Sequence, residues 1–246
     1  MRPFVQHYDL LYGDKNYEAD IRAFSHLVAN PLSGMNILEI GAGTGSQTRQ
    51  LARVASSVTA VEIDADFLSV LRTRTREEAN VEIYGHPVET LEAGSFDAAA
   101  AFFHVLNYIS DEERLASFLS GVFARLKPGA YFVGDIWHGD AVLLDPPRTE
   151  VRSKMVTGSR LTQRITPMLD AVRRRVRLDY AITVHRDQAE PVRFEETLDL
   201  KMWLDEELSL AFSAAGFDGL EFYDVRDFPA PATRQSWRVW LRARRR

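Results

Sequence analysis

The chain has 246 residues, 46% hydrophobic and 26% charged, with a formal charge of −5 and no cysteine. That composition suits one large globular domain, or a domain carrying an insertion, and it excludes disulfides, thiolate metal ligands and a cysteine nucleophile. The charge offers no general attraction to nucleic acid, and neither an apolar leader nor a membrane-length apolar run is present, so no nucleic-acid or membrane partner and a cytoplasmic location are expected.

The first half alternates helices and strands. Tyr17–Val28 places Ile21, Phe24, Leu27 and Val28 on one helical face, and Pro31 ends it. Asn36–Ile40 is a short apolar strand running into glycines, Ser46–Val54 a helix, and Ser57–Ile63 a β-branched strand. A helix follows from about Asp66, then strands at Val81–Tyr84 and Ala98–Phe103. Ser110 and Glu113 have capping-box spacing ahead of a helix carrying Leu115, Phe118, Leu119, Val122, Phe123 and Leu126. Lys127-Pro128-Gly129 stops that helix and Tyr131–Ile136 is a fifth strand. This alternation predicts a mostly parallel sheet covered on both faces.

After about Ala141 the period changes. Val176–Val184 and Val192–Met202 alternate apolar and polar residues, the mark of antiparallel strands with one wet face. Thr157-Gly158-Ser159 and His185–Glu190 read as hairpin turns. A helix at Asp205–Ala215 closes on Gly216, and Leu220–Val225 and Trp237–Leu241 are two last strands, ahead of a basic tail, Arg242–Arg246, read as solvated. The expected division is a 1–141 α/β core with an N-terminal lid helix, a 142–203 antiparallel β insertion, and 204–246 completing the core.

Ile37-Leu38-Glu39-Ile40-Gly41-Ala42-Gly43-Thr44-Gly45 puts three glycines where a strand turns into a helix. A Cβ there would hold a ligand away from the backbone, and ligands of open α/β sheets collect at such strand ends. Glu62, at the end of the next strand, is placed to accept both hydroxyls of a ribose. A dinucleotide turn needs G-x-G-x-x-G, with its third glycine where Ser46 stands. The acidic Glu39 beside the turn suits a cationic cofactor better than a pyrophosphate. A flexible turn without a ligand is the plainer alternative.

Glu39–Gly45 resembles motif I of the class I S-adenosylmethionine-dependent methyltransferases. Val61-Glu62-Ile63-Asp64 resembles their ribose-binding motif, Phe96-Asp97-Ala98 through Tyr108 their fourth-strand motif, and Leu126-Lys127-Pro128-Gly129-Ala130 their turn before strand five. The resemblance implies a Rossmann-like sheet with an antiparallel last strand, S-adenosyl-L-methionine as cofactor, and contacts to it from Tyr17, Glu39, Gly41, Ala42, Gly43, Glu62, Ile63, His86, Pro87, Val88 and Phe103. Tyr8-Asp9-Leu10-Leu11-Tyr12, Tyr17, the insertion after strand five and Phe103–Tyr108 are similar to the branch that includes nucleotide-sugar N-methyltransferases. In that branch N-terminal tyrosines close over the cofactor, and the insertion helps build the acceptor pocket and often a dimer contact. Asp135-Ile136-Trp137-His138-Gly139-Asp140 departs from that branch, which tends to carry Glu-Pro there.

Methyl transfer to nitrogen or oxygen of a small molecule is therefore expected, with a nicotinamide oxidoreductase or a non-catalytic S-adenosylmethionine-binding protein as rivals. His104, at the end of strand four, is the first candidate base and His138, after strand five, the second; each has packing as its plainer role. Tyr12 is expected to orient acceptor or methyl, and Asp135 to hold a cationic acceptor or cap a loop. Arg173, Arg174, Arg175 and Arg177 read as the wet face of the insertion. No close-spaced metal-ligand pattern is present in the sequence.

Overall fold

The computed structural model describes residues 1–156, 158–186 and 189–246. Two short helices, α1 (Pro3–Gln6) and α2 (Tyr8–Leu11), precede α3 (Tyr17–Leu27). Then come β1 (Asn36–Ile40), α4 (Ser46–Ala52), β2 (Ser57–Val61), α5 (Ala65–Arg74), β3 (Val81–Tyr84), β4 (Phe96–Ala101), α6 (Glu112–Arg125) and β5 (Leu126–Trp137). The second half contains α7 (Gly139–Leu144), β6 (Glu150–Val156), β7 (Ser159–Asp170), β8 (Arg175–Arg186), β9 (Val192–Lys201), α8 (Asp205–Ala214), β10 (Phe217–Asp224) and β11 (Arg238–Arg245).

Seven strands form one sheet in the order β10-β11-β5-β4-β1-β2-β3, and β11 runs antiparallel to both β5 and β10. The other neighbours are parallel, so the mostly parallel Rossmann-like sheet with an antiparallel last strand is as expected. One face is covered by α6 and α8, through Leu115, Leu119 and Phe212, with Trp203 just ahead of α8; the other by Phe24, Leu27 and Leu51 of α3 and α4. β1 sits between β2 and β4, where the order of strands reverses, and the crevice above such a point is where ligands bind.

The antiparallel insertion after strand five is a four-stranded sheet, β6-β7-β8-β9. Val176, Leu178, Tyr180, Ile182 and Val184 are buried on one face of β8, as its period predicts. They pack with Phe4 and Leu11, so the N-terminal helices belong to the core of the insertion.

Two local expectations change. Helix α6 begins one residue late: Asp111, not Ser110, is the cap, accepting the Arg114 N–H at 2.9 Å. Arg242–Arg245 belong to strand β11 rather than to a solvated tail, with Arg242 paired to Glu221, and Arg246 just beyond the strand pairs with Asp218. Of the expected hairpin turns, Thr157, Asp187 and Gln188 lie outside the described residues. The insertion's arginines are surface ion-pair partners, Arg175 with Asp199 and Arg177 with Asp179 among them.

Candidate functional site

The β1–α4 turn is built on backbone conformations that side chains resist. Gly41, Gly43 and Gly45 have φ of 72°, 58° and 84°. A Cβ on Gly41 would sit 2.5 Å from Val105 Cγ2, whereas one on Gly43 would meet nothing within 4 Å. The Gly41 and Ala42 N–H groups both donate to the Val61 carbonyl, at 2.9 and 3.0 Å, which ties the turn to β2.

Glu62 leaves β2 beside this turn and is 7% exposed. Its Oε2 accepts the Gly43 N–H at 2.7 Å and its Oε1 the Asp64 N–H at 2.8 Å. Burial pushes its pKa up, and these backbone donors oppose the shift. Each oxygen keeps a further lone pair for a ligand hydroxyl. Asp64 caps α5, accepting the N–H groups of Asp66 and Phe67 through Oδ1, while its Oδ2 pairs with Arg2.

The second part of the site follows β4. Phe103 and His104 both have φ of 66°, a conformation that stores strain in residues with a side chain. What holds them is Asp135 on β5, 1% exposed. Its Oδ1 accepts the Phe103 N–H, and its Oδ2 lies 3.0 Å from His104 Nδ1 and 3.1 Å from Arg238 Nη2. Burial works against the Asp135 carboxylate, but His104, Arg238 and Lys15 outweigh it and hold its pKa below the usual range. Burial lowers the pKa of His104, with Asp135 opposing, so the ring is neutral near pH 7. Asp135 thus anchors a strained loop and is not a free acceptor-binding carboxylate.

A cavity of about 750 Å³ runs over these elements. Its floor includes Gly41, Ala42, Gly43, Thr44, Gln47 and Glu62; Ile63, Pro87 and Val88 line one end. Its roof comes from the N-terminus and the insertion: Arg2, Phe4, Tyr8, Tyr12 and Tyr17, with Glu196, Leu198 and Asp199 of β9. Phe103 and Tyr108 line it too. The tyrosines form an aromatic chain, with ring centroids 4.6 Å apart for Tyr8–Tyr12 and 4.9 Å for Tyr12–Phe103. Asp9 ties the lid to the glycine turn, accepting from Thr44 Oγ1 at 2.8 Å and pairing with Arg74 at 2.6 Å.

Of the fourteen residues singled out in the sequence, Tyr12, Tyr17, Gly41, Ala42, Gly43, Glu62, Ile63, Pro87, Val88 and Phe103 line this cavity. Glu39, His86, His104 and His138 do not. Glu39 is buried beneath the turn, His86 is exposed and packs edge-on against Tyr84, and His104 lies behind Phe103, its ring stacked on it at 5.2 Å. His138 is bound by the Ser236 carbonyl and the Asp205 carboxylate, which corrects its placing beside the acceptor. Sequence reasoning missed Arg2, Phe67, Glu196 and Asp199. Glu196 lies far along the chain from the glycine turn, and no local pattern announces it.

Residues 37–129 match the methyltransferase domain family. An rRNA methyltransferase of Streptomyces thermotolerans is 46% identical over 55 residues, covering 22% of this chain and 18% of that protein. The chain spans little more than half the length, at most, of the curated relatives it matches first. Streptomyces venezuelae DesVI superposes over all of both chains with a TM-score of 0.83 at 16% identity. S-adenosylmethionine-bound CalS10, an amino pentose methyltransferase from Micromonospora echinaspora, superposes over 97% of this chain and 96% of its own, at 0.78 and 20% identity. Residues 37–129 thus match a methyltransferase domain, and the whole chain shares the fold of solved proteins that include an S-adenosylmethionine-bound methyltransferase.

Proposed function

We propose that the chain transfers a methyl group from S-adenosylmethionine to a nitrogen or oxygen of a small molecule held under the roof of the insertion. The observation that carries this reading is the continuous cavity from the glycine turn and Glu62 to Tyr8, Tyr12, Tyr108 and Glu196. Its volume falls in the upper part of the range of about 300–1,000 Å³ for small-molecule sites, room for a nucleoside–amino acid cofactor and a second small molecule.

The residues fit the cofactor. Gly43 has open space where a Cβ would stand, Glu62 has free lone pairs for ribose, and Ile63, Pro87 and Val88 offer apolar surface to a purine. Tyr17 and Phe103 line the other end, for the methionine portion. S-adenosylmethionine, when bound, supplies an electrophilic methyl on a sulfonium sulfur. The chain positions an acceptor in line with it and excludes water.

His104 does not itself line the cavity, yet it is the group we assign to take the proton that a hydroxyl or ammonium acceptor must lose, its Nδ1 3.0 Å from Asp135 Oδ2. Its side chain is 12% exposed, and its neighbours Phe103 and Val105 line the cavity. Tyr12 orients the acceptor. A small acceptor is favoured over RNA because the cavity carries Glu62, Asp64, Glu89, Glu196 and Asp199 against only Arg2 and Arg114, the wrong sign for a phosphate backbone. Calorimetry with S-adenosylhomocysteine and with NADH tests the reading. Binding of the first and not the second is expected; tight NADH binding with no response to S-adenosylhomocysteine would overturn it.

A further inference from the structure

Outside the cavity, one cluster places a histidine and two carboxylates at the junction between the core and the insertion. His138 follows β5, Asp140 lies in the first turn of α7, and Asp205 opens α8 just after the chain returns from β9. The departing and returning segments touch here: a Cβ on Gly139 would lie 2.3 Å from the Trp203 carbonyl oxygen. None of the three side chains lines the main cavity.

Both nitrogens of the His138 ring face oxygen acceptors. The ring is 1% exposed. Nδ1 is 2.9 Å from the Ser236 carbonyl oxygen, which can only accept, so Nδ1 carries a hydrogen. In the neutral ring Nε2 is then a bare lone pair. It lies 2.9 Å from Asp205 Oδ1 and 3.9 Å from Asp140 Oδ2. With a proton on Nε2 the shorter contact is a hydrogen bond to Asp205, and a divalent cation can take that proton's place between the ring and the two carboxylates once they move apart slightly. A backbone carbonyl on Nδ1–H with Nε2 aimed at anionic oxygens is the setting of a metal-bound imidazole.

We infer that His138, Asp140 and Asp205 form a divalent-cation site of the zinc class, which clamps the insertion where it leaves the core and returns to it. One ligand atom from each side chain lies within 4.8 Å of the others. Two ligands on a tetrahedral zinc stand about 3.4 Å apart, so small side-chain rotations bring all three into range. Asp140 Oδ2 also accepts the Asp205 N–H at 3.4 Å, which keeps the two carboxylates together. Both are partly exposed, at 33% and 44% of their side chains, so a water completes the coordination from the open side. One imidazole with two carboxylates suits zinc better than magnesium, which prefers an all-oxygen octahedron.

The full chain, stripped with EDTA and desalted, is titrated with zinc chloride by calorimetry near neutral pH, with magnesium chloride as the control. It is then melted with and without one equivalent of zinc. One equivalent of zinc bound, no magnesium response and a melting temperature raised only by zinc are expected. Asp140→Asn and Asp205→Asn should each weaken zinc binding roughly tenfold or more, while melting like the wild type without metal. Both side chains are partly exposed, so this test does not depend on whether the buried His138→Gln variant folds. Absence of stoichiometric zinc binding to the wild type would overturn the site, a proton alone then closing the His138–Asp205 pair. Undiminished binding in both aspartate variants would also overturn it, by placing the zinc on other side chains.

Discussion

Glu39 is a carboxylate taken out of water without a cation beside it. Burial raises its pKa to about 8; Thr48 opposes the shift and Glu62 adds to it. The folded chain therefore keeps this proton in a range where the unfolded chain has lost it. The stability this protonated form gives is complete below the ordinary carboxylate pKa and falls as pH rises towards 8, by on the order of 1.4 kcal/mol per pH unit. Glu39→Gln, neutral at every pH, should be level with the wild type near pH 5 and more stable by about 3 kcal/mol or more above pH 8. Urea unfolding across that range reads the gap, and parallel curves would refute it. Asp135 has the opposite sign: its lowered pKa stabilises the fold at neutral pH, and that contribution is lost on acidification. Glu62→Ala should weaken S-adenosylhomocysteine binding by about 1–3 kcal/mol, the cost of unpaired polar groups, since it removes the acceptor of the Gly43 N–H as well as any ribose contact. An unchanged dissociation constant would place the ribose elsewhere. His104→Ala should lower kcat by about a hundredfold or more for a hydroxyl acceptor, and only a few-fold for a neutral amine, with cofactor affinity intact. Full activity in a destabilised protein would make His104 a packing residue.

Single elements show what the sequence made legible. The strands β1 and β3 stand where their apolar runs place them, and the glycine turn was readable because only glycine suits its positive φ at the approach to Val105. Strand β8 was readable from its period because one face is dry and the other wet. Strand β7 was harder to see, since Pro167 interrupts it. The β6 pairing ends at Ile165, so Pro167 has β8 on one side only, an edge position of the kind that tolerates proline. The roof of the cavity was not legible, because Glu196 faces it through tertiary packing and not through any local pattern. At this scale Leu178→Ala, in the buried face of β8, should cost about 2–5 kcal/mol of stability, read by thermal or urea unfolding. A loss near zero would mean the insertion is not packed as described.

At the scale of the whole molecule, the cavity is closed by two parts of the chain that are distant in sequence. Arg2 spans them, pairing with Asp64 and Asp66 beside β2 and lying 3.5 Å from Glu196 on β9. No helix is long and apolar enough to cross a membrane among the described residues. Helices α1 and α2 find their apolar partners in the insertion, where Phe4 and Leu11 pack with Leu178, Tyr180 and Leu200. This order of contacts has a consequence for synthesis. Residues 3–11 emerge from the ribosome long before β8 and β9 exist, and the partners they need are still to be translated. Chains grow at about 5–20 residues per second, so this apolar segment waits on the order of ten seconds or more. The part of the lid that is made first is thus among the last to settle, and the cavity acquires its roof only after most of the protein has been built.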